Sequence, residues 1–298
     1  MLSRIIEWSL RNRFLMLVAL LAAIGGGIWA LRGMRLDAIP DLSDVQVIVY
    51  TEYPGQSPQV VEDQVTYPIT TKMLAVPYAK VVRGYSFFGY SFVYVIFEDG
   101  TDLYWARSRV LEYLSGLSRQ LPAGVSPQLG PDATGVGWAF MYVLNSPQRS
   151  LADLRSYQDW YLKYALTAVD GVSEVASIGG FVRQYQIEVD PVKLRAYGIS
   201  LQKIKAAIQR SNNDVGGRVV EMAEREFMVR GLGYVKDVRD LEKVVLGVGP
   251  GGTPVLLRDV ANVTIGPEIR RGLAEWNGQG ETVGGVVVVR AGADTLST

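Results

Sequence analysis

Val95 to Ala106 reads VIFEDGTDLYWA. Three apolar residues give way to Glu98-Asp99-Gly100, and Thr101 and Asp102 stand just ahead of a new apolar period. Gly serves a tight turn, and Thr or Asp at that place caps a helix. The stretch is therefore strand, turn and helix start. Val287 to Thr298 reads VVVRAGADTLST and repeats the Gly-x-Asp spacing with Gly292 and Asp294. The preceding run, Val283 to Val289, is nearly all apolar, as expected of a strand buried on both faces in mid-sheet. The two stretches occupy one position in two copies of a unit. A helix is expected to open at Asp294 or Thr295.

Outward from the first stretch the pattern is regular. Val45–Tyr53 alternates as a strand. Ser57 is placed as an N-cap with Pro58 at the first helical position. Val61, Val65, Ile69 and Met73 recur every four residues as one helix stripe, and Pro68 within it predicts a kink. Lys80–Tyr85 and Tyr90–Phe97 read as strands joined around Gly89. Leu103, Ala106, Val110, Leu114, Leu117 and Leu121 give the next helix its buried face, and Ser126–Leu129 is a short last strand. The order βαββαβ is a split-βαβ, ferredoxin-like unit of an α+β protein.

A second unit starts at once. Gly137–Leu144 is a strand, and Ser150 to Asp153 has the form of a capping box. Leu154, Tyr157, Tyr161 and Ala165 are expected to line the helix, and Val172–Ile178 follows as a strand. An insertion then intervenes before the Val283–Arg290 strand. It has a strand at Tyr185–Val189 and a helix capped by Ser200 with Leu201, Ile204 and Ile208 inside. It also has a hairpin pairing Val219–Met222 with Phe227–Arg230. Elements of its own mark it as a subdomain hung on the parent fold. Compared with the first unit, the second is expected to lack its last helix and strand, as if cut through.

Phe14 to Leu31 carries no charge and as a helix spans about 27 Å, near the thickness of a bilayer core. Its length and the lack of an A-x-A site favour a retained membrane helix over a cleaved signal peptide. Arg4, Arg11 and Arg13 precede it; Arg32 and Arg35 follow, with Asp37, Asp41 and Asp44 close behind. The balance favours a cytoplasmic N-terminus, with everything after Leu36 outside. Gly25, Gly26 and Gly27 allow close approach of partner helices.

Composition removes several functions. The chain has no Cys and no His, which excludes disulfides, thiolate chemistry, and the commonest metal ligand and general base. Lys plus Arg and Asp plus Glu are 30 each, which speaks against a nucleic-acid partner. FGYSFVYV (Phe88 to Val95) imitates an RNA-binding strand motif but lacks its leading basic residue; core packing is the simpler reading. GVGPGG (Gly247 to Gly252) is followed by a strand, so it reads as a hairpin loop and not as a phosphate loop. The seven Met are dispersed. Met73 reads as core, and Met222 and Met228 flank the hairpin turn. No constellation suggests catalysis or a metal centre, and no cofactor is expected; the chain is not read as an enzyme.

DAIPDLSDVQV (37–47), YPGQSPQVVEDQVTYPITTKML (53–74), LPAGVSPQLGPDATGVGW (121–138) and LRDVANVTIGPEIRRGLAEWNGQGE (257–281) join the opening stretch. Together they resemble the heavy-metal efflux branch of the resistance–nodulation–division permeases, with the copper/silver members nearest in pattern. The resemblance covers essentially the whole chain. It implies a cytoplasmic N-terminus at 1–13, a membrane helix at 14–36 and a first porter subdomain at 37–130. It further implies a second porter subdomain at 131–179 and 267–298, interrupted by a docking subdomain at 180–266. It implies a homotrimer in the inner membrane that exchanges protons for metal cations and joins a periplasmic adaptor and an outer-membrane channel. The docking hairpin, around Asn212 to Phe227, would reach into the neighbouring subunit. Arg83, in VVRGYS, matches an arginine near the metal cleft of the copper/silver members; a strand-end charge bonding a loop is the alternative. Ile269, in PEIRRG, stands where those members carry Met. The main metal site and proton relay would lie beyond Thr298, so the chain is expected not to transport alone. The rival reading is a complete membrane-anchored binding or assembly module.

Overall fold

The computed structural model describes residues 2–32, 42–117, 120–222, 225–249, 251–270 and 272–298. Residues 33–41 lie outside them, and with them the expected end of the membrane helix and the charges Arg35, Asp37 and Asp41. Two helices open the chain, α1 (Leu2–Arg11) and α2 (Arg13–Arg32). α2 is uniformly apolar, buries nothing in the protein and meets the length and hydropathy of a bilayer span. α1 had no counterpart in the sequence expectations.

β1 (Gln46–Glu52) leads through the Ser57 cap, which accepts from Val60 N, into α3 (Pro58–Val61). A π-helical turn (Glu62–Thr66) follows and then α4 (Tyr67–Met73). Val61, Val65, Ile69 and Met73 are all fully buried. An α-helix advances 3.6 residues per turn, so a stripe repeating every four drifts unless a turn takes in an extra residue. The π turn supplies it, just before Pro68, whose missing N–H weakens the ladder there. The distortion expected at Pro68 is this turn.

β2 (Ala79–Phe87) and β3 (Tyr90–Phe97) are joined at Gly89, whose φ of 75° suits glycine. α5 (Leu103–Ser115) is capped by Asp102 through Trp105 N at 2.7 Å, and β4 (Pro127–Leu129) follows. The sheet order is β2-β3-β1-β4, antiparallel at every pair. Helices cover one face only: Val47, Val49, Val93, Val95 and Phe97 point at Val65, Ile69, Val110 and their neighbours to form the main core. Gly84 faces the same way; a Cβ there would lie 2.6 Å from Thr66 Cγ2.

β5 (Trp138–Leu144) leads to α6 (Leu151–Tyr157), whose start is the expected capping box. Ser150 Oγ accepts from Asp153 N at 3.2 Å and Asp153 Oδ2 from Ser150 N at 3.3 Å. A second π turn (Gln158–Leu162) and α7 (Lys163–Thr167) continue it. Tyr157 and Tyr161, expected inside, are 49% and 66% exposed, while Gln158 is fully buried. Gln158 follows Leu154 by four residues, an ordinary helical step that a stripe through Tyr157 misses, and the π turn that begins at Gln158 shifts the stripe again before Tyr161.

β6 (Val172–Gly179) and β7 (Arg183–Val189) follow. α8 (Pro191–Tyr197) is capped by Asp190 and stopped by left-handed Gly198, and α9 (Leu201–Ser211) is capped by Ser200. Leu201, expected inside, is 61% exposed: as the first residue after the cap it precedes the inward arc, which Ile204 and Ala207 occupy. β8 (Val215–Met222) and β9 (Arg225–Gly231) form the expected hairpin; its tip, 223–224, lies outside the described residues. α10 (Val238–Glu242), β10 (Val245–Val248), β11 (Pro254–Leu256), α11 (Leu257–Val260) and β12 (Ala261–Pro267) complete the insertion. β10 pairs with β11 across the glycine loop, and β12 pairs with β7. Last comes β13 (Val283–Val289), every residue buried, between β5 and β6. After it Asp294 Oδ1 accepts from Leu296 N and Asp294 O from Thr298 N, a turn at the place where a helix was expected to open.

The chain divides into two compact units. One comprises Met1–Val143, Gln158–Ser177 and Gly284–Thr298; the other comprises Leu144–Tyr157 and Ile178–Val283. The core of the second unit gathers Leu194, Ile204, Leu241, Leu246, Leu257 and Val260.

Candidate functional site

The face of the first sheet that the helices leave open is aromatic. Pleating sends Val93 and Val95 to the core and Tyr90, Phe92 and Tyr94 to the opposite side. β2 contributes Arg83, Tyr85 and Phe87 to that side, opposite Tyr94, Phe92 and Tyr90 in register. Tyr85 meets Tyr94 edge-on at 5.5 Å between centroids, Phe87 meets Phe92 edge-on at 5.9 Å, and Tyr50 stacks on Phe92 at 6.5 Å. The expectation that FGYSFVYV packs in the core is corrected: its alternate valines do, and its rings do not. Sequence alternation marks two unlike faces but not which one the helices cover.

A cleft of about 520 Å³ opens on this face, lined by Gln46, Arg83, Tyr85, Phe87, Phe92, Tyr94 and Ile96. Arg83 sits in mid-strand, exposed, and among the described residues makes no ion pair and bonds no loop. Among the described residues the strand-end alternative thus finds no loop partner. Its guanidinium is always charged and offers five donors but no lone pair. It can hold a carboxylate or stack on a ring, yet cannot ligate a metal. The other candidates are not gathered here. Met73 is core, as expected, and Ile269 is 67% exposed. Met222 pairs with Arg225 and Met228 with Val219, which sets the two methionines on opposite faces of the hairpin. Among the described residues no three His, Cys, Asp or Glu side chains gather as a metal site.

A second constellation escaped the sequence reading. Asp132 lies between β4 and β5. Its carboxylate accepts from Tyr104 of α5 at 3.0 Å and from Ser173 of β6, with Arg290 Nε, just after β13, at 3.7 Å. Its backbone oxygen accepts from Ala291 N at 2.9 Å. Arg107 of α5 donates to Gly130 O and Pro131 O beside it. Burial pushes the carboxyl up, but the hydroxyls of Ser173 and Tyr104 and the Arg290 charge outweigh it and hold it below the ordinary 3.8. Burial and the accepting carboxylate hold the Tyr104 phenol above 10.0. The first sheet's helix and the second sheet's strands are thus tied at one carboxylate. Only the run GPDATGVG signals it in sequence, and without the partners an Asp in a glycine-rich turn reads as turn chemistry.

A membrane-length apolar helix thus precedes two stretches of strand and π-broken helix. The chain belongs to the AcrB/AcrD/AcrF family, whose model matches residues 5–298. Within it the chain is similar to the cation efflux system protein CusA of Escherichia coli K12, 58% identical over 96% of this chain and 28% of that protein. SilA of Salmonella typhimurium is 59% identical over the same shares. The cobalt-zinc-cadmium resistance protein CzcA of Cupriavidus metallidurans is 35% identical over 99% of this chain and 28% of its own length. A solved heavy-metal efflux pump superposes with a TM-score of 0.81 at 32% identity, over 94% of this chain and 28% of that one. The chain therefore spans about 28% of the length of the relatives it matches.

Proposed function

We propose that this chain is the N-terminal portion of a proton-driven heavy-metal cation efflux permease of the resistance–nodulation–division type. The identity of 58% with CusA across 96% of the chain carries the proposal. α2 is its first membrane helix, with the N-terminus in the cytoplasm and the rest of the segment in the periplasm. The antiparallel order β2-β3-β1-β4 with helices on one face supports a ferredoxin-like first porter subdomain at 37–130. The β5-β13-β6 sheet supports the second, at 131–179 and 267–298, with the docking subdomain at 180–266 between its parts.

Arg83 acts in the cleft through its charge, since it has no lone pair to offer a cation. The hairpin β8–β9 exposes Val219, Val220, Met222, Phe227 and Met228. A two-stranded hairpin is marginal in water, so these residues suit insertion into the next subunit of a homotrimer. Adaptor and outer-membrane channel complete the export path. Ile269 offers no thioether where the copper/silver members carry Met, which weakens the case for copper specificity at that step.

The test is a metal-sensitive strain lacking its own pumps. A full-length gene that carries this segment should restore growth on the cargo metal, and the 298-residue chain alone should not. Restoration by the chain alone would overturn the fragment reading in favour of a complete module.

A further inference from the structure

We propose that α1 lies in the headgroup layer of the bilayer beside α2, its apolar arc in the lipid and its cations against lipid phosphates. In a helix of 100° per residue, positions 6, 9 and 10 share one arc and carry Ile, Ser and Leu, while 7 and 11 share the other and carry Glu and Arg. Trp8 falls at the border, where an amphipathic ring suits the interface. α2 has no such division; it is apolar all round.

The change of pattern falls on a joint. Asn12 separates the helices. Its amide Nδ2 donates to Trp8 O at 3.0 Å, and Arg13 Nε donates to Leu10 O at 3.2 Å. Trp8 O also accepts from Asn12 N, and Asn12 O from Met16 N, each at 3.0 Å, so the ladder runs on through the joint while the two side chains share its carbonyls. Ile6, Trp8 and Leu10 are 55%, 54% and 62% exposed, so among the described residues nothing covers this arc. The bilayer that α2 crosses begins at the same residue, and a helix with one charged face and one apolar face partitions to that boundary. Arg11 and Arg13 then sit at phosphate level, where the negative surface potential of anionic lipid favours them.

The inference rests on α2 spanning the bilayer, and the experiment separates the two. The chain has no cysteine, so a single introduced one is a unique label. Glu7→Cys, Ser9→Cys, Leu10→Cys, Arg11→Cys and Leu20→Cys are nitroxide-labelled in the full chain in phosphatidylcholine/phosphatidylglycerol vesicles. Accessibility is read with oxygen, which favours lipid, and a water-soluble nickel chelate. The expected result is high oxygen and low nickel contact at 9 and 10, and the reverse at 7 and 11, by several-fold. Uniform nickel contact at all four would place α1 in water and overturn the proposal. A monotonic depth gradient without helical period would make α1 an extension of the span and overturn it too. Water contact at position 20 would overturn the membrane-spanning reading itself. Replacing phosphatidylglycerol with phosphatidylcholine, which keeps the phosphate and removes the net negative charge, should weaken the protection at 9 and 10; an unchanged pattern would overturn the part assigned to anionic lipid.

Discussion

The Tyr104 hydroxyl donates to Asp132 Oδ2 at 3.0 Å, joining α5 of the first repeat to the segment that opens the second. Ser173 donates to the other oxygen, so the carboxylate is held from both sides. Removing it strands two hydroxyls. Asp132→Ala should cost about 1–3 kcal/mol of unfolding free energy, read by urea denaturation of the chain in detergent.

The same contact sets a pH dependence. The folded carboxyl titrates below its ordinary 3.8, so the unfolded chain binds the proton more tightly. The stability it contributes is complete above that ordinary value and is lost as pH falls through the lower folded one. Asp132→Asn should flatten the acid limb of the stability curve; an unaltered limb would show that other carboxylates carry it.

Arg83→Ala should separate function from folding. The side chain is exposed, so unfolding should shift by no more than about 0.5 kcal/mol. Metal resistance conferred by the full-length permease should fall, and Arg83→Lys should recover part of it. Loss of resistance together with loss of folded protein would assign Arg83 a structural part instead.

Tyr142 donates to Gln158 Oε1 at 2.8 Å at the start of the second π turn, and among the described residues Gln158 Nε2 has no partner. Gln158→Leu alone should destabilise by about 1 kcal/mol, because the Tyr142 hydroxyl is left unpaired. Adding Tyr142→Phe should restore or exceed the original stability. A double-mutant cycle with no coupling between them would refute this account.

Glu221 and Glu226 stand directly opposite each other in the hairpin. Like charges in that position destabilise, so Glu226→Lys should slow hydrogen exchange along β8 and β9. The expected gain is about 0.2–1 kcal/mol.

Much of the fold was legible because its signals are local. The caps at Ser57, Asp102, Ser150 and Ser200 each act within three residues. The burial of Val61, Val65, Ile69 and Met73 followed from spacing alone. The misplaced residues differ in cause: Tyr157 lies one step off the Leu154–Gln158 stripe, Tyr161 is displaced by the π turn, and Leu201 stands at the uncovered start of its helix. α1 is a helix of only ten residues, with Ser9 set among its apolar positions, so its period is weak beside the uncharged run that follows. Of the site, Arg83 was reached only through resemblance, and Asp132 not at all, since its partners lie 28 and 41 residues away.

By itself the sequence determined the repeat, the strand and helix starts and the membrane-length span, because caps, turns and period are properties of neighbours. The tertiary structure decided which face of each strand is covered. It put the valines of β3 in the core and its rings in the open cleft with Arg83. It set Met222 and Met228 back to back, and it gathered Tyr104, Ser173 and Arg290 around Asp132. These outcomes depend on which surface a distant element packs against, and the energy of that packing is shared by residues that no local window contains.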